Sequence, residues 1–286
     1  MNRIIMTGIL FCAMFCSANL YAMQSTITEA EGYSCAGEDK SRKQTEQDAL
    51  MEVKRLAVEN TIVYITTVTG VKNFVVDEDV VRAYSNATVK VLEVKERSWY
   101  KDERSGDCYK IKIKAEIIPD EKAMNELASK KEFADDPTLP LTVKIWTEKN
   151  EYKGKEKIKI FLKGNKPFFA RVLYTNVQGE SLQLLPNPYR LDNYFSGGVI
   201  YEIPSGKDRF DLEVTPPFGE ESIIVYASST ELGKINVKPA GAVYKVKTRA
   251  DDVGVRTRGV QLKEKTDGDN SAEAFYEGKV TVKTTP

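Results

Sequence analysis

The sequence predicts an α+β protein: a small N-terminal α+β domain followed by an all-β, sandwich-like domain. Residues 42–57 carry an apolar stripe at helical spacing, typical of a helix packed on one side. Residues 109–117 alternate between apolar and charged side chains, which indicates a strand with one buried face. After residue 141, short apolar runs between Gly, Pro and Asn turns recur regularly, which favours a β-sandwich.

The composition narrows the possible functions. The chain has 286 residues, with 42 Lys+Arg against 42 Asp+Glu and no His. A chain without net charge offers no overall field to gather nucleic acid, so no nucleic-acid partner is expected. Without His, Ser–His and Cys–His nucleophile pairs and His metal ligands are excluded. We therefore predict no enzyme activity, no cofactor and no metal site. A hydrolase that uses carboxylates alone is a less favoured alternative.

Residues 1–22 have the pattern of a secretory signal peptide. Arg3 precedes an apolar run over residues 4–15, and Ala22 supplies a small residue for cleavage. We predict cleavage after Ala22, with Ala18 as the alternative, and a periplasmic or secreted protein. The apolar run is shorter than the roughly 20 residues of a membrane span, but an uncleaved anchor stays open. Both cysteines here follow phenylalanine, where a lipoprotein signal requires a small residue, so no lipoprotein is expected.

The sequence after the predicted signal peptide contains two cysteines, Cys35 and Cys108. In an exported protein such a pair favours one disulfide. Two free buried thiols are the alternative. No later segment is apolar enough over a sufficient length to span a membrane, so no integral span is expected after cleavage.

The N-terminal domain is predicted over residues 23–132. A strand at residues 26–36 leads to a helix that begins near residue 42, capped by Asp39 or Ser41. Residues 61–69 are rich in β-branched side chains, so they fit either the helix end or a short strand. A short helix near residues 77–84, a hairpin over residues 86–117 and a helix at 120–131 complete this domain.

One strand of the hairpin carries a basic stripe. Lys110, Lys112 and Lys114 share a face of the predicted strand, and Glu116 continues it. Mixed charge on one face is typical of a solvated strand surface, so we interpret these residues as exposed rather than as a nucleic-acid contact.

Three segments of this domain carry a family resemblance. They are residues 29–32 (Glu-Ala-Glu-Gly), residues 47–50 (Gln-Asp-Ala-Leu) and the hairpin that ends at residue 118. Together they resemble the N-terminal domain of bacterial flagellar assembly protein T and related envelope domains of the LPP20 lipoprotein type. The resemblance implies a helix-on-sheet fold and, as an alternative function, a flagellar or secretion-apparatus accessory role.

Residues 133–140 are predicted to be a linker, because two prolines and two acids interrupt all periodicity. The second domain then covers residues 141–286, and no helix is expected in it. Its predicted strands lie near residues 141–147, 158–162, 168–174, 181–185, 199–203, 210–214 and 223–227. The tail adds three more, at residues 243–248, 255–262 and 275–282. Whether residues 235–286 join the sandwich or form a separate unit is left open.

An ordered series of motifs carries a second, sharper resemblance. It comprises Tyr152-x-Gly154, residues 171–174 (Arg-Val-Leu-Tyr), Gly179, residues 184–187 (Leu-Leu-Pro-Asn), Tyr201-x-Ile203-Pro204, Pro217-x-Gly219 and residues 225–229 (Val-Tyr-Ala-Ser-Ser). This series resembles the bacterial domain-of-unknown-function family 4384. Members of that family are appended to varied partners, including kinases and caspase-like proteases, and also occur in exported proteins. A module reused with different partners implies a binding or spacer unit rather than a chemical one.

Residues 184–189 permit two interpretations. In the favoured one, the prolines end a strand, Asn187 bonds its own turn, and Leu184 and Tyr189 join the core. In the other, a protruding loop docks a partner. The candidate surface for that partner consists of Pro186, Asn187, Pro188, Tyr189, Tyr194 and Phe195.

We therefore expect an exported bacterial envelope protein that acts as a non-enzymatic binding or assembly module. Its partner is expected to be another, unknown envelope protein.

Overall fold

A computed structural model of the chain describes residues 21–69, 74–128, 135–206, 208–258 and 272–286. Most of the predicted signal peptide and residues 133–134 of the predicted linker lie outside these ranges. The described helices are α1 (Arg42–Thr69), α2 (Phe74–Ser85), α3 (Glu121–Ala128) and α4 (Ala250–Thr257). The described strands are β1 (Tyr21–Cys35), β2 (Thr88–Asp102), β3 (Gly106–Ile118), β4 (Val143–Thr147), β5 (Glu151–Lys153), β6 (Ile160–Gly164), β7 (Phe168–Thr175), β8 (Ser181–Leu185), β9 (Tyr194–Phe195), β10 (Tyr201–Ile203), β11 (Glu220–Ser228), β12 (Val237–Ala240), β13 (Val243–Val246) and β14 (Glu273–Thr285).

The described part of the protein is sheet-rich, because its strands contain more residues than its helices. Within the described ranges, eleven strands form one curled sheet in the order β12-β13-β8-β7-β11-β14-β1-β3-β2. β5 pairs with β14, and β9 pairs with β7. A second sheet has the order β10-β6-β4. The coarse prediction of helices packed on sheet, combined with a β-rich part, is therefore confirmed.

The last described strand joins the two parts of the chain. β14 pairs antiparallel with β1 on one side and with β11 on the other. The hydrogen-bonded ladder therefore runs without a break from the N-terminal strands into the C-terminal ones. The predicted division at residues 133–140 stays a prediction, but the parts that it would separate share this sheet.

Helix α1 packs across the N-terminal strands. Ser41 and Gln44 form a reciprocal cap: the Gln44 amide donates to the Ser41 hydroxyl, and the Ser41 amide donates to the Gln44 side chain. Gly32 lets the helix approach closely, because a Cβ at this position would lie 2.8 Å from the backbone nitrogen of Val53. Residues 61–69 continue α1, so of the two predicted alternatives the helix end is confirmed.

A second core, which we call the C-terminal core, lies between the large sheet and the β10-β6-β4 sheet. Side chains from both sheets alternate inward, as expected for packed sheets. The largest fully buried members are Tyr152, Phe168, Phe195, Ile160 and Leu162. The α1 core and this core lie on the same face of the large sheet, because Ala30, Thr26 and their neighbour Ala274 share one side of the ladder.

Helix α4 covers the opposite face of the large sheet. Val253 of α4 is buried against Ile27, Tyr226 and Phe275. The prediction of a strand over residues 255–262 and of no helix after the linker is wrong. Two acids in the first turn of α4, Asp251 and Asp252, stabilise the positive end of the helix dipole. Residues 259–262 lie outside the described ranges.

The predicted strand at residues 210–214 is also absent from the described strands. Its backbone instead bonds to the segment before β6: the Ile158 amide donates to the Leu212 carbonyl at 2.8 Å, and the Val214 amide donates to the Glu156 carbonyl at 2.9 Å. The segment is extended, but the pairing is too short to form a regular ladder.

The described part of the predicted linker is fixed by side-chain hydrogen bonds. The Asn165 amide group donates to the carbonyls of Asp136 and Pro140 at 2.8 and 3.1 Å. Gln24 of β1 donates to the Leu141 carbonyl at 3.0 Å. These bonds hold residues 136–141 against both parts of the chain.

The predicted disulfide between Cys35 and Cys108 is confirmed. The two residues face each other across the antiparallel pair β1–β3, with 3.9 Å between their Cα atoms. Of the helices within the described ranges, none combines the length and apolar character needed to cross a membrane.

Candidate functional site

Residues 184–190 form a tight turn at the end of β8. Asn187 is almost fully buried, and its side chain donates to the Leu184 carbonyl at 3.0 Å. The same side chain accepts from the amides of Tyr189 and Arg190 at 2.9 and 2.8 Å. The Asn187 side chain thus forms its hydrogen bonds within its own turn, as the favoured interpretation predicted. Tyr189, however, is exposed rather than part of the core.

The segment after this turn exposes large apolar side chains. The exposed fractions are 55% for Tyr189, 72% for Leu191, 49% for Tyr194, 45% for Val199 and 60% for Ile200. We call these five residues the loop surface. Large apolar side chains concentrated in one short exposed segment are typical of a contact site.

Phe195 anchors the loop surface to the C-terminal core. Its ring is fully buried, stacks on Phe168 with 5.2 Å between centroids, and meets Tyr201 edge-on at 4.8 Å. The Ser196 amide donates to the Tyr201 hydroxyl at 2.9 Å. These contacts fix the backbone that presents the loop surface.

Only some residues of the predicted partner surface are therefore exposed. Tyr189 and Tyr194 are exposed, and Pro186 and Pro188 are half-buried. Asn187 and Phe195 are buried, because the first closes the turn and the second fills the core, so the exposed surface excludes them. That the remaining residues bind a partner stays a prediction.

Sequence reasoning missed Leu191, Val199 and Ile200. Val199 and Ile200 belong to a β-branched run that predicted a strand from residue 199, but β10 begins at Tyr201. The signal available in the sequence was Gly197-Gly198 just before them, since Gly198 adopts a positive φ of 75° that turns the chain.

A buried arginine supports the base of the turn. Arg171 on β7 donates to the side chains of Gln183 and Thr257 at 3.1 and 2.9 Å, and to the Gly233 carbonyl at 2.9 Å. Gln183 in turn donates to the Pro186 carbonyl at 2.7 Å. A continuous chain of hydrogen bonds therefore links α4 to the start of the loop segment.

All of these partners of Arg171 are neutral oxygens. Burial lowers the pKa of the Arg171 guanidinium to about 10, and Tyr226 offsets part of this effect. Burial also raises the pKa of the neighbouring Tyr226 to about 12, with a further contribution from Glu277. At neutral pH the arginine is charged and the tyrosine is neutral, which suits a structural network.

A second buried arginine joins the two parts of the chain. Arg258, at the end of α4, donates to Glu116 of β3 at 2.5 Å and to Glu277 of β14 at 2.6 Å. Ser25 of β1 also donates to Glu116 at 2.7 Å. Arg258 is 5% exposed and Glu116 is 0% exposed. We call Arg258, Glu116 and Glu277 the ion triad.

The ion triad corrects one sequence interpretation. Glu116 was expected on a solvated face with the lysines before it, but it is fully buried and bonds Arg258 and Ser25. Lys114 is also largely buried, whereas Lys110 and Lys112 lie at the partly exposed end, paired with Glu31, Glu96 and Glu29. This face of β3 is therefore partly exposed at Lys110 and fully buried at Glu116.

The described residues offer no cluster of three or more Cys, Asp or Glu side chains positioned to hold a metal ion. The ion triad contains two carboxylates, but an arginine occupies the space between them. The local chemistry thus supports apolar contact at the loop surface and internal cohesion at the two arginines.

Comparison with known proteins locates one family within the chain. Residues 151–231 match the family described as Domain of unknown function (DUF4384). The match begins at β5 and runs just past β11, so it contains the whole loop surface and Arg171. No curated protein matches the chain. No solved structure matches it either.

The matched segment confirms the C-terminal resemblance. The resemblance of the N-terminal part to flagellar assembly protein T is not supported by these comparisons and stays a prediction. Helix α4, β14 and the ion triad lie outside the matched residues.

Proposed function

We propose that this protein is an exported, non-enzymatic binding or assembly component of the bacterial cell envelope, and that the loop surface contacts its partner protein. The observation that carries the proposal is the exposure of five large apolar side chains within residues 189–200, inside the segment that matches a domain family.

Location in the envelope is supported by two features. The Cys35–Cys108 disulfide fits an oxidising compartment such as the periplasm. Residues 1–22 carry the charge and hydropathy pattern of a signal peptide. Cleavage after Ala22 leaves a strand from Met23 onward that still pairs with β14. Mass spectrometry of the periplasmic protein tests this, with Met23 as the expected first residue.

The loop surface has the physical character of a protein contact. Tyr and Leu side chains bury a large apolar area when a partner excludes water from them. Two arginines lie over neighbouring rings, Arg209 over Tyr189 at 5.0 Å and Arg190 over Phe195 at 5.4 Å. Aromatic and arginine side chains together are enriched where binding energy is concentrated. The buried base formed by Phe195 and Arg171 keeps this surface ordered before binding, which lowers the entropic cost of association.

Capture from detergent-solubilised envelopes tests the proposal. The wild-type protein is compared with a Leu191→Asp/Ile200→Asp variant and with Val63→Asp as the control. Val63 is 64% exposed on α1, in the N-terminal part of the chain. We expect one specific partner with the wild type and the control, and loss of that partner with the double variant.

Capture of no specific partner by the wild type, or equal capture by the double variant, would overturn the proposed role of this surface. Circular dichroism and the urea midpoint confirm that each variant is folded. Turnover of any substrate in a broad screen of ester, glycoside and peptide bonds would contradict the non-enzymatic part.

A further inference from the structure

Among the residues that the structure describes, part of β1 is paired on one side only, and we call its other side the open edge. β1 pairs with β3 over residues 26–35, whereas β14 pairs with it only from Tyr21 to Ile27. Among the described residues, nothing pairs with the other edge of β1 over residues 28–35. We propose that this edge binds an extended peptide as an added antiparallel strand, in the groove between β1 and α1.

The hydrogen-bonding direction of β1 identifies the available groups. The Ala36 amide donates to the Asp107 carbonyl on the β3 side at 2.9 Å. Backbone groups alternate along a strand, so even-numbered residues face β3 and odd-numbered residues face the open edge. The amides and carbonyls of Glu29, Glu31 and Tyr33 therefore point outward. Within the described ranges, only the Glu29 carbonyl has another partner, the Thr28 hydroxyl at 3.4 Å.

A groove of about 530 Å³ runs along this edge. Its floor and one wall are the end of β1, including Tyr33, and its other wall is the outer face of α1, including Met51 and Leu56. Tyr33 and Met51 are each 62% exposed. The charged side chains of Lys40, Asp48, Glu52 and Arg55 also line the groove. An open strand edge beside a helix is the geometry by which several domains accept peptides as extra strands.

The sheet's other long edge carries features that interrupt strand pairing. The edge strand β2 carries two register shifts, at Val91/Glu93 and Val94/Glu96, and several exposed charges. Bulges and charges are the features by which proteins block unwanted strand pairing. The β1–β3 register is continuous from Thr26 to Cys35.

The surroundings specify the chemistry of the occupant. Only a polypeptide in extended conformation offers donors and acceptors at the spacing of Glu29, Glu31 and Tyr33. Alternate side chains of such a peptide would face α1 and contact Met51, so apolar residues fit there. On the other face lies the half-exposed Glu31 carboxylate, whose ion pair with Lys110 is long at 3.7 Å. A basic residue fits opposite it.

This groove lies on the N-terminal part of the chain, outside the segment that contains the loop surface. The inference therefore goes beyond the proposed function, and loss of one binding activity leaves the other measurable.

The test uses a phage-displayed library of random peptides, selected on purified protein that begins at Met23. We expect selected peptides to alternate apolar and polar residues, with a basic residue among the polar ones. Synthetic copies are then measured by fluorescence polarisation. Met51→Glu should weaken binding at least about tenfold, because it places a charge against apolar peptide side chains. The control Val63→Glu, on an exposed part of the same helix, should leave binding unchanged.

Two further measurements test whether the peptide backbone pairs with β1. Peptide binding should slow hydrogen exchange of the Glu31 and Tyr33 amides. N-methylation of every second peptide amide should abolish binding in one register and leave it intact in the register shifted by one residue.

Three results would overturn the proposal. The first is recovery of no peptide, or of peptides that bind Met51→Glu as tightly as the wild type. The second is a dimer that forms with rising concentration and is lost in Met51→Glu, which would make a second copy the occupant. The third is peptide binding only after deletion of residues 259–271, which would make the chain's own segment the occupant.

Discussion

Arg258→Ala is the substitution with the largest expected effect on stability. It removes the cation that bonds Glu116 at 2.5 Å and Glu277 at 2.6 Å, and leaves the fully buried Glu116 with Ser25 as its described partner. Removing one member of a buried ion pair costs about 3–5 kcal/mol, because the remaining charge stays desolvated. We expect a loss of this size in the free energy of unfolding, measured by urea denaturation at neutral pH.

A double variant separates the effect of buried charge on stability from the effect of side-chain packing. Arg258→Met with Glu116→Gln removes both buried charges, so it should cost less than Arg258→Ala alone. Lys283→Ala is the control, because its ion pair with Glu151 is well exposed and should contribute less than about 1 kcal/mol. A cost below about 1 kcal/mol for Arg258→Ala, or a double variant that loses the sum of both single effects, would refute this reasoning.

Three further predictions concern stability. Loss of the disulfide in Cys35→Ser/Cys108→Ser should lower the free energy of unfolding by up to about 4 kcal/mol, given a separation of 73 residues; equal urea midpoints would contradict this. Burial raises the pKa of Glu221 above its usual 4.5, so its contribution is present below pH 4.5 and is lost as pH rises through the folded value. Urea midpoints across pH 4–7 should therefore show a weaker rise with pH for the wild type than for Glu221→Gln. Gly32→Ala should lower the free energy of unfolding by about 1–3 kcal/mol, since the added Cβ meets helix backbone at 2.8 Å. The control Gly206→Ala, with open space around it, should leave stability unchanged. Similar melting temperatures of the two variants would count against the close helix contact.

The hairpin β2–β3 and helix α1 could be predicted from the sequence because each has a local pattern of apolar and polar residues. Alternation over residues 109–117 and the apolar stripe after residue 42 each determine which face is buried. The Cys35–Cys108 pair followed from the number of cysteines left after the signal segment.

The burial of Glu116 was not readable, because the residue that neutralises it lies 142 positions later. The sequence pattern around it is the same as that of the partly exposed Lys110 and Lys112 on the strand. Similarly, Val255 and its β-branched neighbours predicted a strand, but tertiary contact of Val253 with the sheet face stabilises a helix there.

The loop surface was partly readable. Tyr189 and Tyr194 belonged to the alternative interpretation of a docking loop, whereas the favoured interpretation placed Tyr189 in the core. Phe195 cannot be told from Tyr194 by sequence. In a strand, neighbouring residues point to opposite faces, and only the structure shows which face is inward.

The central claim is that β14 and the ion triad make the two parts of the chain one cooperative unit. The chain has two tryptophans, Trp99 on β2 and Trp146 on β4, so each part has its own fluorescent reporter. Trp99 packs against Tyr109, and Trp146 stacks on Phe161. In the single-tryptophan variants Trp99→Phe and Trp146→Phe, each urea unfolding curve reports one part.

Any small shift of the urea midpoint that a substitution itself causes is measured by circular dichroism of both variants. Within each variant, we predict that the fluorescence and circular dichroism curves coincide. Within one variant, a fluorescence transition clearly separated from a second step in circular dichroism would contradict the claim and show that the two parts unfold independently.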